Sequence, residues 1–408
     1  MRRLDPDGPR RLLLMPGVAR VLAALAAPGE ESRLVGGCVR DALLGRASDD
    51  IDLATTLTPE TVVARAAAAG LRSIPTGIEH GTVTLMAGSA GFEVTTLRED
   101  VETDGRHAVV RFGRDFARDA ERRDFTINAL SVDGAGTVHD TTDGIADLAA
   151  GRVRFIGEAR TRIREDALRI LRFFRFHARY GADAPDPEGL AACIAARDAL
   201  DGLSRERVRA ELLKLLLAPA SVAAVTTLSE TGLLGRLIAG IGDLWRFERV
   251  AQEPFDAPAR LGALAVFSRD DAERLVGCLR LSKAEQADLG AYGRALTAVK
   301  DRVEIDTAGM RGLAAIHGAR SLNHALAALG GGTRPAVADP ARDLLARMVR
   351  GETPIPAFPL TGADLVARGI PAGPQIGRRL AQARGHWLAA GCPEGAEARE
   401  ALLARALA

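Results

Sequence analysis

Residues 34–45, LVGGCVRDALLG, and residues 48–56, SDDIDLATT, decide how this chain is read. RLVGG (33–37) spells a short strand running into a turn, and VRDALLG (39–45) a short helix that Gly45 stops. DIDLATT (50–56) is β-branched enough to form a second strand. Side chains alternate along a strand, so Asp50 and Asp52 point one way while Ile51 and Leu53 face the core. Neighbouring carboxylates repel one another unless a cation sits between them, and divalent ions are the usual answer. Two Mg²⁺ ions about 3.5–4 Å apart would stabilise both the attacking and the leaving oxygen of a phosphoryl displacement. Taken alone, the D-x-D pair reads better as solvated charge at a strand end. The glycines beside it shift that balance. Gly36 and Gly37 let a phosphate approach the backbone closely, and the helix start that carries Arg40 offers free N–H groups.

Outward from this stretch, the first 155 residues read as mixed α and β. Thr58-Pro59-Glu60 opens a helix with a capping hydroxyl, a proline at the first position and an acid in the first turn. GTVTLMA (81–87) and FEVTTLR (92–98) read as the two strands of a hairpin turning at residues 88–91. Glu93 lies on its second strand, sharing a face with Thr95 and Leu97, and is placed to bring a third carboxylate to the same metal ions. A polar segment (99–118) follows. After it come an expected helix through RRDFTINAL (122–130) and a second hairpin, LSVDGAGTVHD (130–140), turning at Gly134-Ala135-Gly136. From about residue 156 strand signals vanish. EDALRILRFFRFHARYG (165–181) and SRERVRAELLKLLLA (204–218) carry apolar residues at helical spacing. The expected architecture is an α+β head, with a small mixed sheet and helices, followed by an all-α remainder. Its boundaries are read as 1–155, 156–220, 221–330 and 331–408, with residues 330–359 the best linker.

At 408 residues and 43.0 kDa the chain is too long for one ordinary domain, and 47% hydrophobic with 26% charged residues excludes a disordered tail. No apolar run reaches the roughly 18 residues of a membrane span, and the N-terminus lacks a signal-peptide core. Four scattered cysteines, with no CxxC pair, argue against zinc ribbons and disulfide scaffolds; a reduced, cytoplasmic protein is expected. The net charge of +1 hides an asymmetry, since only three of the 54 basic residues are lysine. Between Arg152 and Arg179 nine arginines face Glu158, Glu165 and Asp166, a net of +6. Such a run is either a solvated helix face or a phosphate-facing stripe. His139-Asp140 is the sole His-Asp dipeptide and lies in the second hairpin, so no HD-type phosphohydrolase domain is expected.

With LVGGCVRDALLG and DID joined to RRDFTINAL, EDALRILRFFRF (165–176) and SRERVRAELLKLL (204–216), the chain resembles the class II tRNA nucleotidyltransferase and bacterial poly(A) polymerase family, within the DNA polymerase β-like nucleotidyltransferases. The resemblance covers about residues 33–217 and is looser in the C-terminal third. It implies that Asp50 and Asp52 are catalytic and hold two Mg²⁺ with Glu93. It implies too that Gly36, Gly37, Arg40, Arg123, Asp124 and Asn128 bind the nucleotide, Arg123 at phosphate and Asp124 at ribose. Segment 99–118 corresponds to the family's loop implicated in switching from C to A addition.

The third motif has a physical reading of its own. Asp166 and Arg169 are three residues apart on an expected helix, and together offer an acceptor and a donor to a base edge. Cytosine and adenine both fit that pair, whereas uracil and guanine leave both protein groups unsatisfied. Arg172 and Arg175 continue the helix toward the triphosphate, Glu165 supports Arg169 from one turn back, and Phe173, Phe174 and Phe176 belong to the core. The expected reaction adds C, C and A to a tRNA 3′ end from CTP and ATP, with the helical half binding the acceptor and T arms. The head, neck, body and tail of such an enzyme would follow the four boundaries above. Poly(A) polymerase, a CC-only or A-only enzyme, and a catalytically silent RNA binder are the alternatives. The stretch 362–380, with Arg378-Arg379, is equally an RNA grip or a structural helical hairpin.

Overall fold

The computed structural model describes residues 1–48, 50–78, 81–103, 108–332 and 334–407, which form two compact units, Met1–Leu203 and Ser204–Ala408. The first unit opens with helices α1 (Gly8–Leu13) and α2 (Pro16–Leu25). Strand β1 (Ser32–Val35) then turns through Gly36 into α3 (Gly37–Leu43), and β2 (Asp52–Thr55) leads to α4 (Pro59–Ala68). Thr58 caps α4 by accepting from the Thr61 N–H at 3.4 Å, as the Thr-Pro-Glu signature requires. Strands β3 (Arg72–Gly77), β4 (Thr82–Ala87) and β5 (Ala90–Thr96) complete one side of the sheet. Ala87 pairs with Ala90, so the hairpin turns on two residues, Gly88-Ser89, a tighter turn than the expected 88–91. Gly88 takes φ +70°, which suits a glycine-first hairpin turn.

Strands β6 (Arg98–Thr103) and β7 (Ala108–Phe112) pair antiparallel as a separate two-stranded sheet, residues 104–107 of the polar segment 99–118 lying outside the described ones, and α5 (Phe116–Glu121), which Asp115 caps, follows. Strands β8 (Ser131–Val132) and β9 (Val138–His139) form the second hairpin, as expected. The main sheet runs β3-β4-β5-β2-β1-β8-β9, with β2 and β5 parallel and the other neighbours antiparallel. It is the small mixed sheet that the head was expected to contain. Leu34, Leu53, Val83, Leu85 and Val94 are fully buried on it.

Two expected helices are corrected. RRDFTINAL is no helix: α5 ends at Glu121, and Phe125 instead bridges Phe155. The Thr126 N–H donates to the Arg154 carbonyl and the Ile156 N–H to the Asp124 carbonyl, leaving only a turn of 3₁₀ helix at Thr126–Asn128. Nor is 165–181 one helix. After α6 (Gly144–Ala150), α7 (Ala159–Glu165) stops at Asp166, whose backbone is extended at φ −154°, and α8 (Leu168–Tyr180) starts afresh. The Asp166 side chain accepts from the Leu168 N–H at 3.1 Å, competing with the helix for its own backbone. Helix α9 (Pro187–Ala195) and a 3₁₀ helix at Arg197–Gly202 close the unit. Phe173, Phe174 and Phe176 are core residues as expected, packed with Phe125 and Phe155.

The second unit is built of helices: α10 (Arg205–Leu216), α11 (Ser221–Glu230), α12 (Leu233–Ile238), α13 (Leu244–Ala251) and α14 (Ala257–Ala265) come first. Next are α15 (Arg269–Leu279), α16 (Lys283–Val299), α17 (Thr307–His317), α18 (Ala319–Leu329) and α19 (Asp339–Val349). The last three are α20 (Gly362–Val366), α21 (Pro374–Ala389) and α22 (Ala396–Leu407). One feature departs from the all-helical expectation: Glu304–Ile305 and Ala336–Val337 pair as a two-residue parallel ladder. Among the described residues no helix is long and apolar enough to cross a membrane.

Candidate active site

Strand register assembles the acidic corner. Asp52 sits opposite Val35 on β1 and opposite Glu93 on the parallel neighbour β5, so Asp52 and Glu93 share a face of the sheet. Asp50 lies just outside β2 rather than on it, solvent-exposed, while Ile51 and Leu53 are buried as the alternation demands. Leu97, expected beside Glu93, lies past the end of β5 and is buried with Val35, Ala54 and Phe116. The Asp52 carboxyl has a raised pKa. Partial desolvation is the main cause, the Glu93 and Asp50 charges add to it, and Arg123 opposes it. Among the described residues no three Asp, Glu, His or Cys side chains close into a metal cage. A hydrated Mg²⁺ would need only one or two of these carboxylates, completing its shell from substrate phosphates and water. The mutual repulsion of these acids is what such an ion relieves.

Gly36 makes the turn beside this corner at φ +75°, and a methyl there would lie 2.7 Å from Arg123 Nη1. The conformation calls for glycine, and any larger residue would also have to displace the Arg123 guanidinium. Arg123 therefore lies over the β1–α3 turn, its Nη2 donating to Asp119 Oδ2 at 3.2 Å. Asp119, only 4% exposed, also takes the Arg122 Nε at 2.8 Å; the 3- and 4-residue spacing from Asp119 to the two arginines was the signal for it. Gly37 has no positive φ, and a methyl there would meet Arg40 Nη2 at an ordinary 3.5 Å.

Behind the turn runs a buried polar chain that connects three motifs. The Tyr180 hydroxyl on α8 donates to Asp41 Oδ1 at 3.0 Å, and Asp41 takes Arg40 Nε and Nη2 at 3.0 Å each. Arg40 Nη1 donates to the Asn128 side-chain carbonyl, and Asn128 Nδ2 donates to Asp124 Oδ1 at 3.1 Å. Asp124 Oδ1 also accepts its neighbour's N–H at 2.9 Å, while Oδ2 takes Arg172 Nε at 2.7 Å and Nη2 at 2.6 Å. Two of the expected nucleotide-binding residues are engaged within this chain. Arg40 is buried with all three nitrogens engaged, and its guanidinium lies 4.1 Å over the Tyr180 ring. Asp124 has its four acceptor positions filled, two of them by Arg172. Asp41 and Tyr180 were missed because their partners are distant in sequence.

The break at Asp166 corrects the shared-helix-face geometry expected for Asp166 and Arg169: Asp166 precedes α8 and Arg169 stands in its first turn. Arg169 Nη1 donates to Glu165 Oε2 at 2.5 Å and to the Arg162 carbonyl at 3.0 Å, and Nη2 to the Arg122 carbonyl at 3.3 Å. Glu165 thus supports Arg169 as expected. Arg175 and Arg172 stand over the Phe176 ring at 4.3 and 5.2 Å. The arginine run is not one phosphate-facing stripe: Arg152 and Arg154 neutralise the fully buried Asp147, and Arg162 pairs with Glu165. His139 binds Asp133 at 2.8 Å and Asp140 caps α6, so the His-Asp dipeptide is structural.

Residues 32–154 match the family described as Poly A polymerase head domain, and residues 184–242 that described as Probable RNA and SrmB- binding site of polymerase A. The zebrafish (Danio rerio) protein named CCA tRNA nucleotidyltransferase 1, mitochondrial, is 36% identical over 377 residues, covering 88% of this chain and 83% of its own. This chain belongs to the CCA tRNA nucleotidyltransferase family. The CCA-adding enzyme of Limosilactobacillus fermentum is 33% identical over 372 residues, covering 88% of this chain and 89% of its own. The crystal structure of the Bacillus stearothermophilus CCA-adding enzyme in complex with CTP superposes with a TM-score of 0.72 at 26% identity, over 96% of this chain and 98% of that one. Like other CCA tRNA nucleotidyltransferases, this one is a nucleotidyltransferase by fold and by descent.

Proposed function

We propose that the chain extends the 3′ end of tRNA by C, C and A, using CTP and ATP and releasing pyrophosphate. The observation that carries this reading is the Asp52–Glu93 register with Asp50 close by, beside the Gly36 turn and Arg123, in a chain similar along most of its length to CCA-adding enzymes. Asp50 and Asp52 hold Mg²⁺, with Glu93 next to them. When bound, the ions lower the pKa of the terminal 3′-OH and neutralise the triphosphate. Arg123, Arg172 and Arg175 take phosphate oxygens, with the Gly36-Gly37 turn leaving room for them. Arg40, Asn128 and Asp124 fix the direction of Arg172. Asp166 and Arg169 read the base, Arg169 being fixed by Glu165 and two backbone carbonyls. The parts 1–155, 156–220, 221–330 and 331–408 act as head, neck, body and RNA-binding tail, gripping the acceptor and T arms through phosphates and shape. Four free cysteines, three of them buried, suit a reducing compartment, and we place the protein in the cytoplasm.

Purified protein incubated with tRNA lacking its last three nucleotides and with each NTP singly tests this. CTP alone adds two residues, and ATP adds one only after them. Labelling from ATP alone on any RNA would instead favour poly(A) polymerase, the reading that the head-domain match also admits. Asp50→Ala should stop incorporation while leaving tRNA binding nearly intact.

A further inference from the structure

In the second unit, a cavity of about 340 Å³ opens between α13, α18, α19 and the turn Gly330-Gly331-Gly332. Arg249 on α13 reaches into its wall. The Nε of Arg249 is shut off from solvent and has no hydrogen-bond partner among the described residues. Its guanidinium lies flat against the glycine turn: a methyl on Gly331, at φ +78°, would stand 2.5 Å from Nη2 and 2.6 Å from Nη1. The exposed Trp245 ring stands 4.9 Å from that guanidinium, one helical turn back on the same helix. Arg342 lines the opposite side, its Nε held by the Val337 carbonyl at 3.1 Å, and Glu253 is the sole acid among the lining residues. Two residues with side-chain amides, Gln252 and Asn323, line the cavity together with leucines and Met310.

Nε is closed to solvent, so Nη1 and Nη2 are the donors that a ligand in the cavity can meet, and a guanidinium matches phosphate oxygens best. An amide presents a donor and an acceptor side by side, the pattern of a base edge, and the apolar lining suits a ring. The volume stands at the lower end for small-ligand pockets, about one nucleotide. We propose that this cavity binds a single unpaired nucleotide, with its phosphate on Arg249 and its base against Gln252 and Asn323. Nothing in the acidic corner of the first unit takes part. Its source is either an unstacked nucleotide of the tRNA, in which case the site rests on the tRNA-extension reading above, or a free nucleoside monophosphate.

Full-length protein carrying Arg249→Gln separates these sources. If tRNA fills the cavity, filter binding to tRNA lacking its 3′ CCA weakens roughly tenfold, the log–log salt slope becomes shallower by about one, and CTP incorporation at saturating tRNA keeps its wild-type rate. If a free nucleotide fills it, equilibrium dialysis with labelled AMP and CMP shows a site on the wild type that Arg249→Gln removes and Arg123→Ala retains. Unchanged tRNA affinity, salt slope and monophosphate binding in a variant that melts like the wild type overturns the proposal. Gln252→Ala, on an exposed side chain, repeats both measurements should Arg249→Gln fail to fold; wild-type behaviour there overturns it equally. A wild-type protein that incorporates no CTP refutes the tRNA-extension reading alone, since both binding measurements proceed without catalysis.

Discussion

Asp52 concentrates the electrostatic strain of the acidic corner. Its carboxyl is held above the ordinary range by partial desolvation first and by Glu93 next. An unfolded chain therefore gives up this proton at a lower pH than the folded one. Native stability falls as pH rises from the ordinary carboxylate value, about 3.9, through the raised one, and the penalty persists above it. Asp52→Asn removes the charge and should raise the melting temperature at pH 7 in metal-free buffer by roughly 1–3 °C, the size of a solvent-screened like-charge pair. The gain should shrink toward pH 4, and Mg²⁺ should stabilise the wild type more than the variant. A variant no more stable than wild type at pH 7 would show that the folded site does not penalise the ionised Asp52 carboxylate. Arg169 offers a second test at this scale. Its guanidinium is fixed by Glu165 and two carbonyls, so Glu165→Gln should loosen it and cut CTP-over-UTP discrimination by about tenfold while leaving the CTP rate within a few-fold. Steady-state incorporation of each nucleotide measures it, and unchanged discrimination removes Glu165 from the positioning of Arg169.

At the scale of elements, α8 is the shared backing of the site. Its last residue, Tyr180, reaches Asp41 on α3, and its Arg172 reaches Asp124, so one helix orients the glycine turn and the second motif together. Tyr180→Phe deletes one neutral-to-charged hydrogen bond and keeps the ring that stacks on Arg40. It should raise the KM for nucleotide about three- to tenfold and change kcat little; an equal fall in kcat at unchanged KM would contradict the orienting role. None of this chain was legible from the sequence, because Tyr180 and Asp41 are 139 residues apart and Arg172 and Asp124 are 48 apart. What the sequence did show is local. The alternation around Ile51 and Leu53, the glycine-first hairpin at Gly88 and the Thr58 cap each depend on neighbours within a few residues. RRDFTINAL misled because its backbone pairs with the distant 154–156 segment, a contact that no local period reveals. The apolar period of 165–176 likewise runs straight through Asp166, where a side-chain bond to the Leu168 N–H outweighs helix propensity.

Charge is unevenly divided over the whole molecule. The first unit has 27 basic and 31 acidic residues, a net of −4, and the second has 27 and 22, a net of +5. A polyanion is thus repelled on average by the unit that holds the acidic corner and attracted by the helical one. RNA affinity should fall steeply with salt, with a log–log slope steeper than about −2, and arginines of the second unit should dominate that slope. The adjacent pair Arg378-Arg379 on α21 separates this role from a structural one. Arg379 Nη1 donates to the Ala406 and Leu407 carbonyls at 2.8 Å each, tying down the end of α22, whereas Arg378 is exposed. Arg379→Gln should cost about 1–2 kcal/mol of stability through those lost charged hydrogen bonds and the uncapped carbonyls. Arg378→Gln should leave the melting temperature within a degree and make the salt slope of tRNA binding shallower by up to one. If denaturant unfolding shows the two variants equally destabilised, or if Arg378→Gln leaves tRNA binding at low salt unchanged, the helical hairpin at the C-terminal end is scaffold alone and the positive charge acts elsewhere in the unit.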